Sequence, residues 1–273
     1  MSQNATVSKT RRLIESAVMV SIGTVLSMIK LIDMPYGGSV TVGCMLPVIV
    51  IAYRYGFRWG LVTGFVFGLL QQLLGLDNLS YVTTWQSIVA VILLDYIVAY
   101  MSVGFAGLFK KVRPQSFALI LGAVIASILR YLCHVISGAT VWAGLAIPTK
   151  AAVIYSAGYN GTYMLPEMIV TAILAYYIGT VLDFGRDHIA HLEKDDKPGV
   201  PVLKWIGGLL VAAALLFDIR MIFANLQNAE TGDFDLSGFM SVNWPLLLIV
   251  TVVCALIAAV LIYVSGRMGS HAK

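Results

Sequence analysis

Charged side chains are scarce in this sequence. Only 12% of its 273 residues are Asp, Glu, Lys or Arg, whereas 59% are hydrophobic. A soluble domain usually carries about 25% charged residues. The deficit excludes an ordinary soluble enzyme and indicates that lipid surrounds most of the protein surface. The net charge of +4 comes with no basic stripe of interleaved aromatic residues, so nucleic-acid binding is not indicated.

Cysteines are few, and the common catalytic motifs are missing. Cys44, Cys133 and Cys254 lie far apart in apolar runs with no CxxC pair, so neither a disulfide framework nor a zinc site is indicated. There is no GxxxxGK followed by Ser or Thr, so the chain should not hydrolyse ATP itself. HExxH and GxSxG are absent as well. We therefore expect no enzyme, no metal and no cofactor.

Long apolar runs dominate what is present. A helix needs about 20 apolar residues to cross the hydrocarbon core, and these runs lack the alternating pattern of a membrane barrel. The second run is short, and its glycines and Pro47 predict an irregular helix. We predict an all-α integral membrane protein with eight apolar segments, at residues 13–32, 40–53, 57–76, 85–109, 117–137, 158–182, 203–223 and 244–264.

Lysine and arginine predict the orientation of these segments. The run at 13–32 follows Arg11 and Arg12, is too long for a signal peptide and lacks a cleavage site, so we interpret it as a retained helix. With the N-terminus inside, most Lys and Arg fall in cytoplasmic segments, and the opposite loop at 224–243 is acidic. This asymmetry and the even helix count predict that both termini are cytoplasmic.

A charged stretch divides the chain. Residues 183–202 are rich in charged side chains and end in Pro and Gly, unlike the apolar runs on either side. We predict a six-helix substrate-binding membrane domain at 1–182, a cytoplasmic linker at 183–202 and a two-helix extension at 203–273. Asp218 and Arg220, near the end of a helix in this extension, are interpreted as snorkelling or loop residues.

Ionisable residues within membrane-spanning segments are costly and usually functional, and four of those in this sequence matter most. They are Asp95, Arg130, His134 and Glu167. With a rise of about 1.5 Å per residue, Asp95 and Arg130 lie about 20 Å from the cytoplasmic face, and His134 about 25 Å. The polar set therefore collects in the outer third of the membrane, which suits a pocket that receives a solute from outside.

Aromatic residues accompany this polar set. A cage of aromatic rings favours organic cations, whereas any single tyrosine here is equally well explained by the aromatic belt of a membrane interface. For the whole group beside Asp95 and His134 we favour the cage. Its candidate residues are Tyr96, Trp142, Tyr155, Tyr159 and Tyr163, with Asn160 beside them.

Each ionisable residue also has a structural alternative. Asp95 needs a partner, which is either Arg130, in a pair that pins helices together, or a cationic ligand. Arg130 and His134 are spaced i, i+4 and share a helix face, but His134 is alternatively a packed core histidine. Glu167 either faces the interior of the bundle as a site residue or locks helices together. Ser137 is a weak hint of a nucleophile.

The first helix carries a small-residue pair. Ala17 and Ser21 are four residues apart, and pairs at this spacing let another helix approach closely. The pair therefore marks a candidate docking face for a partner membrane protein.

Several stretches together resemble a known family. Three of them are polar: LLDYIVAYMSVGFAGLFKK at 93–111, RYLCHVISGATVW at 130–142 and YSAGYNGTYMLPE at 155–167. Two more also fit, YGGSVTVGCMLP at 36–47 and RYGFRWGLVTGFVFGLLQ at 54–71. In this order they resemble the thiamine-specific S components of energy-coupling factor (ECF) transporters, the ThiT/YuaJ group, over roughly residues 10–182.

The resemblance implies a six-helix S-component bundle in a bacterial plasma membrane, with the two C-terminal helices as an addition. Such a subunit captures a vitamin from outside and docks on an ECF transmembrane subunit with two cytoplasmic ATPases. The docking motif of the family matches Ala17 and Ser21. Its thiamine pocket matches Asp95, Tyr96, Arg130, His134, Trp142, Tyr155 and Asn160, to which we add Tyr159, Tyr163 and Glu167 as further candidates.

Two departures from the family pattern leave the ligand open. Asp95 is shorter than the Glu of some relatives, and GSVTV at 38–42 lacks the Trp and Glu that others carry. Precursors or analogues of thiamine therefore stay in view. Two other functions stay open as well: a solitary secondary transporter of an organic cation, with Asp95 or Glu167 as proton site, and an intramembrane enzyme that uses His134.

Overall fold

The computed structural model describes residues 9–34, 37–141, 147–192, 201–228, 231, 234 and 236–268. Two short antiparallel hairpins pair β1 Lys30–Asp33 with β2 Ser39–Thr41, and β3 Leu182–Asp183 with β4 Ala190–His191. Within the described ranges there are eight long helical segments: α1 Lys9–Met28, α2 Leu46–Tyr55, α3 Phe57–Leu74, α4 Trp85–Lys111, α5 Gln115–Thr140, α6 Lys150–Val181, α7 Pro201–Leu226 and α8 Trp244–Met268.

Helix length and composition fit a membrane environment. By these criteria five helices of the described part of the chain, α4 to α8, are long and apolar enough to cross a bilayer. Their exposed side chains are mostly large and hydrophobic, as lipid-facing side chains are. The prediction of an all-α, multi-pass integral membrane protein is confirmed.

α2 forms the centre of the first part of the chain. Its residues Val48, Ile49, Ile51 and Ala52 are completely buried, although they lie on different sides of the helix. A helix that is apolar all round is buried all round. With ten residues it spans only about 15 Å, so the predicted short second helix is confirmed, but it begins at Leu46 rather than at residue 40.

The segment between α1 and α2 differs from the prediction. α1 ends at Met28, not at residue 32, because residues 30–33 form β1. This strand pairs with β2 through Lys30 opposite Thr41 and Asp33 opposite Ser39. The Gly37–Gly38 turn between the strands has both glycines at φ +89°, a conformation that glycine adopts without steric cost. Hydrophobicity alone did not separate this strand from the helix before it.

α3 and α4 pack unusually close together. A Cβ at Gly64 would lie 2.3 Å from the carbonyl oxygen of Tyr100, and one at Gly68 would lie 2.7 Å from that of Tyr96. Together with Gly60, these glycines recur every four residues on α3, a spacing that lets two helix backbones touch. The sequence analysis missed this row, which fixes the backbone that carries Asp95 and Tyr96.

The winding of α4 changes along its length. Ile92–Val98 is π-helical and Ser102–Lys111 is a 3-10 helix. Single π-turns inside α-helices are often found at functional sites. The π segment here contains Asp95 and Tyr96, so the wider turn determines the direction in which both side chains leave the helix.

α6 begins eight residues before the predicted start at residue 158. The hydroxyl of Thr149 accepts a hydrogen bond from the backbone N–H of Ala152 (3.1 Å) and caps the helix at Lys150. Threonine is a favoured capping residue. The predicted start at residue 158 followed from hydrophobicity alone, which does not register a polar capping residue. Tyr155 therefore lies inside the helix instead of at its beginning.

The chain divides into two compact units, residues 1–192 and residues 193–273. In the first unit, the β3–β4 hairpin is tied to α2 by Arg54, whose guanidinium donates to the carbonyls of Phe184 (2.7 Å), Arg186 and Asp187. Glu15 on α1 pairs with the same guanidinium at 3.0 Å. Residues 182–191 are thus part of the first unit.

The second unit contains the helix pair α7 and α8. Asp218 on α7 accepts a hydrogen bond from the hydroxyl of Thr251 on α8 (2.5 Å). The interpretation of Asp218 as a snorkelling or loop residue is therefore wrong, because its carboxylate bonds to a partner inside the helix pair. Arg220 is exposed on α7.

Candidate ligand-binding cavity

A cavity of about 930 Å³ lies between the first hairpin and helices α3, α4, α5 and α6. Its size is within the range of small-molecule sites. Trp142 lies outside the described residues. The other candidate ligand-binding residues all line this cavity: Asp95, Tyr96, Arg130, His134, Tyr155, Tyr159, Asn160, Tyr163 and Glu167.

Asp95 is held by two side chains of α5. Its Oδ1 lies 2.8 Å from His134 Nδ1, and its Oδ2 accepts from the hydroxyl of Ser137 at 2.7 Å. The π segment of α4 brings the carboxylate to this face of α5. The sequence analysis proposed Arg130 or a ligand as the partner of Asp95, and His134 was considered only as a site residue or a packed histidine.

The contact with Asp95 occupies one nitrogen of the His134 ring. An ionised carboxylate only accepts hydrogen bonds, so Nδ1 carries a proton. Nε2 is buried and has no hydrogen-bond partner among the residues that the structure describes. In the neutral ring this nitrogen is an acceptor, and it is available to a hydrogen-bond donor of a ligand.

Three tyrosines of α6 form one wall. The rings of Tyr155 and Tyr159 are stacked with centroids 6.2 Å apart, and Tyr159 meets Tyr163 edge-on at 6.1 Å. The hydroxyl of Tyr163 donates to Asn160 Oδ1 at 2.5 Å. Asn160 in turn donates to the carbonyls of Ser156 and of His134. The amide therefore connects α6 with α5 and holds the tyrosine wall beside the histidine.

Tyr96 is positioned from the end of α3. Its hydroxyl accepts from Asn78 Nδ2 at 2.9 Å and donates to the carbonyl of Gly75 at 3.3 Å. Asn78 lies in the 3-10 turn Leu76–Tyr81. The sequence analysis missed this role of Asn78, since no pattern links a loop amide to a tyrosine that follows it by eighteen residues.

Arg130 is a buried cation in the cavity wall. It is 7% exposed, and its guanidinium carbon lies 4.2 Å from the centroid of the Tyr100 ring. Its Nη1 donates to the thioether of Met45 at 3.0 Å, a weak acceptor. Its Nε has no hydrogen-bond partner in the part of the chain that the structure describes. Arg130 therefore brings a positive charge to the cavity, and its guanidinium makes a cation–π contact with Tyr100.

Glu167 lies 2% exposed and faces the first hairpin. Its two carboxylate oxygens accept hydrogen bonds from the backbone N–H and the hydroxyl of Thr41. Thr41 was not a candidate in the sequence analysis, because its contact with Glu167 spans 126 residues.

The candidate docking residues lie apart from the cavity lining. Ala17 and Ser21 are exposed on α1, and the hydroxyl of Ser21 donates to the carbonyl of Ala17 at 2.9 Å. Val18, Ile22 and Val25 are also exposed, at 52%, 43% and 59%. α1 thus carries an apolar exposed surface with two small residues on it.

Comparison with known proteins gives several matches. A family model described as thiamine transporter protein, Thia_YuaJ, matches residues 13–183. The thiamine transporter ThiT of Bacillus subtilis is 38% identical over 175 residues, which are 60% of this chain and 87% of that protein. The thiamine transporter ThiT of Lacticaseibacillus paracasei is 27% identical over 165 residues, which are 56% of this chain and 76% of that protein.

A solved structure of ThiT from Listeria monocytogenes is also similar. It is 26% identical, with a TM-score of 0.49, and the match covers 62% of this chain and 92% of that one. The family match ends at residue 183, so α7 and α8 lie beyond it.

Proposed function

This chain belongs to the thiamine transporter family Thia_YuaJ, and we propose that it is the substrate-capture subunit of a vitamin uptake system, binding thiamine or a close analogue in the cavity described above. The family has a transport function, so the protein is a transporter component and not an enzyme. We propose further that it receives its ligand from outside and passes it inward through an ATP-driven ECF partner module.

One observation carries the proposal: a fixed carboxylate, Asp95, lies in the same cavity as a wall of tyrosine rings. Thiamine combines a permanently cationic thiazolium ring with a flat aminopyrimidine. A carboxylate attracts the cation, and aromatic faces bind both the cation and flat rings. The cavity therefore offers the complementary group for each half of the molecule.

We assign roles to individual groups on the same chemistry. Asp95 supplies negative charge or accepts from the amino group of the pyrimidine. His134 Nε2 offers a further acceptor, and the stacked rings of Tyr155 and Tyr159 bind a face of the ligand. Arg130 repels a cation, so the thiazolium should lie toward Asp95 and away from the guanidinium. Trp142, matched by the family resemblance, is assigned to the same pocket.

Two observations support the proposed partner module. The sequence contains no phosphate-binding loop for ATP, so ATP-driven uptake needs a separate ATPase subunit. The exposed α1 surface around Ala17 and Ser21 supports close packing against a helix of a partner. We propose this surface as the docking site for the ECF transmembrane subunit, with both termini of the chain in the cytoplasm of a bacterial cell.

The proposal is tested by uptake of radiolabelled thiamine into cells that lack other thiamine transporters. Cells that express this chain with an ECF transmembrane subunit and its two ATPases should accumulate thiamine. Catalytically dead ATPases should abolish the accumulation, while binding by the purified chain persists. Uptake that survives without active ATPases but collapses with the proton gradient would contradict the proposal and would favour a solitary secondary transporter.

A further inference from the structure

Both carboxylate oxygens of Glu167 accept hydrogen bonds from the first hairpin. Oε2 accepts from the backbone N–H of Thr41 at 2.5 Å, and Oε1 accepts from the Thr41 hydroxyl at 2.7 Å. Because only a carboxylate offers two acceptor oxygens at this position, an amide would leave one of the two donors unsatisfied. The pair is buried, with Glu167 at 2% and Thr41 at 4% exposure.

The contact extends into the turn that starts α2. The Thr41 hydroxyl also accepts from the backbone N–H of Cys44 at 3.2 Å, and the Cys44 thiol lies 3.8 Å from Glu167 Oε1. Between them, Gly43 has φ +70°, and a Cβ there would lie 2.8 Å from the Leu174 side chain. Glu167 therefore anchors the turn from Thr41 to Cys44, which packs closely against α6.

The other end of β2 is attached to the same helix. The hydroxyl of Tyr159 donates to the carbonyl of Gly37 at 3.0 Å, and a Cβ at Gly38 would lie 2.6 Å from the ring of Tyr163. The stretch from Gly37 to Thr41 thus contacts α6 at two positions along the helix. Tyr159 and Tyr163 hold its beginning, and Glu167 holds its end. Residues along this whole stretch line the cavity.

We propose that Glu167 is a positioning residue, which sets the place of the hairpin against α6 and thereby the rate at which ligand leaves the cavity. The inference rests on the proposed function, since it concerns retention of the same ligand. Glu167 acts through Thr41 and not by direct contact with the ligand. It thus replaces two earlier expectations, a ligand contact and a proton site.

The two partners can be changed separately. Glu167→Gln removes one acceptor, Thr41→Val removes the hydroxyl but keeps the backbone N–H, and Thr41→Ser keeps both donors. Thr171→Val is the matched control. Thr171 lies one turn further along α6, is 0% exposed, and its hydroxyl has no hydrogen-bond partner among the described residues.

Two measurements on the full-length chain in detergent test the proposal. The first is hydrogen–deuterium exchange of peptides covering residues 39–46, recorded without ligand. Glu167→Gln and Thr41→Val should each raise the exchange rate about tenfold, since a buried hydrogen bond to a charged group is worth at least that factor. Thr41→Ser and Thr171→Val should exchange at the rate of the unmodified chain.

The second measurement is the dissociation rate of thiamine by stopped-flow fluorescence. Glu167→Gln and Thr41→Val should release thiamine about tenfold faster, and the double variant should be no faster than the stronger single variant, because the two side chains form one interaction. A dissociation rate changed by Glu167→Gln but not by Thr41→Val would overturn the proposal, since it indicates direct contact between Glu167 and the ligand.

The two proposals fail in different ways. If the unmodified chain binds no thiamine, the proposed function fails, while the exchange measurement still decides whether Glu167 holds the hairpin. If thiamine binds but exchange at 39–46 is the same in all variants, the positioning role is wrong and the proposed function stands. If Glu167→Gln does not fold, the comparison of Thr41→Val with Thr41→Ser and Thr171→Val gives the same decision.

Discussion

His134 Nδ1 lies 2.8 Å from Asp95 Oδ1, which joins α5 to the π-helical segment of α4. With a second hydrogen bond from Ser137 on the same helix, the carboxylate is fixed in position before any ligand arrives. A side chain that is already ordered loses less conformational entropy on ligand binding than one that must first be ordered. The pair therefore gives the cavity a defined anionic point beside its tyrosine wall.

The close contact between α3 and α4 predicts that any side chain at Gly64 strongly lowers the stability of the protein. Gly64→Leu should destabilise the protein by about 2 kcal/mol or more, because its Cβ alone would lie 2.3 Å from the Tyr100 carbonyl oxygen. Thermal unfolding of the purified chain in detergent measures this. Gly208→Ala on α7 is the control, since a Cβ there has no atom within 4 Å, and it should leave stability unchanged or slightly higher. Equal effects of both variants would contradict the account of the helix contact.

Arg54 should matter far more for stability than Arg186. The Arg54 side chain is 3% exposed and bonds to Glu15 and to backbone carbonyls, whereas Arg186 is 54% exposed in its pair with Asp183. Arg54→Ala should cost about 3–5 kcal/mol, the usual result of breaking a buried pair. Arg186→Ala should cost about 0–1 kcal/mol, as exposed pairs do. Unfolding in detergent ranks the two, and the reverse order would show that β3–β4 is not held by Arg54.

The helix pair α7–α8 should be dispensable for binding. The cavity is lined by residues up to Glu167, and the family match ends at residue 183. A chain that ends after residue 192 keeps the hairpin bonded to Arg54 and should bind thiamine within about twofold of the full chain, because no cavity residue is removed. Isothermal titration calorimetry measures this. Lost binding by a truncated chain that is still folded would assign the second unit to the site.

The α1 surface should affect uptake and not binding. Ala17→Trp and Ser21→Trp place a bulky ring on an exposed face apart from the cavity, so purified variants should bind thiamine normally. Uptake with the ECF partner should fall at least about tenfold, since small residues are what permit close helix approach. Leu132→Trp is the control, because Leu132 is exposed on α5 and does not line the cavity, and it should leave both binding and uptake unchanged. Full uptake by both small-residue variants would move the docking surface elsewhere.

The sequence predicted the parts of this structure that follow from local pattern. Long apolar runs located the helices, and depth along α4 and α5 predicted that Asp95, Arg130 and His134 collect in one part of the membrane; all three line one cavity. The direct bond between Asp95 and His134 was not foreseen, because helix spacing gives the face of a residue but not the rotation of two helices against each other. The π segment that turns Asp95 toward α5 has no recognisable signature in the residues themselves.

Long-range contacts account for most of the rest. The hairpin at 30–41 was assigned partly to helices because its apolar residues resemble those of α1. The bond between Thr41 and Glu167 spans 126 residues, so no local pattern announces it. The glycine row on α3 has the same four-residue spacing as the small-residue pair on α1, so it too is a local pattern that predicts close helix packing.

Asp95 and the tyrosine wall together form the proposed thiamine site. The most direct test is a titration of the purified full-length chain with thiamine, followed by tryptophan fluorescence, with Trp142→Phe to identify the reporting ring. We expect saturable quenching at one thiamine per chain, and Asp95→Asn should weaken binding about 100-fold, in line with losing one partner of a desolvated charge pair. Unchanged affinity in a folded Asp95→Asn variant, or no response to thiamine by the unmodified chain, would contradict the proposed site.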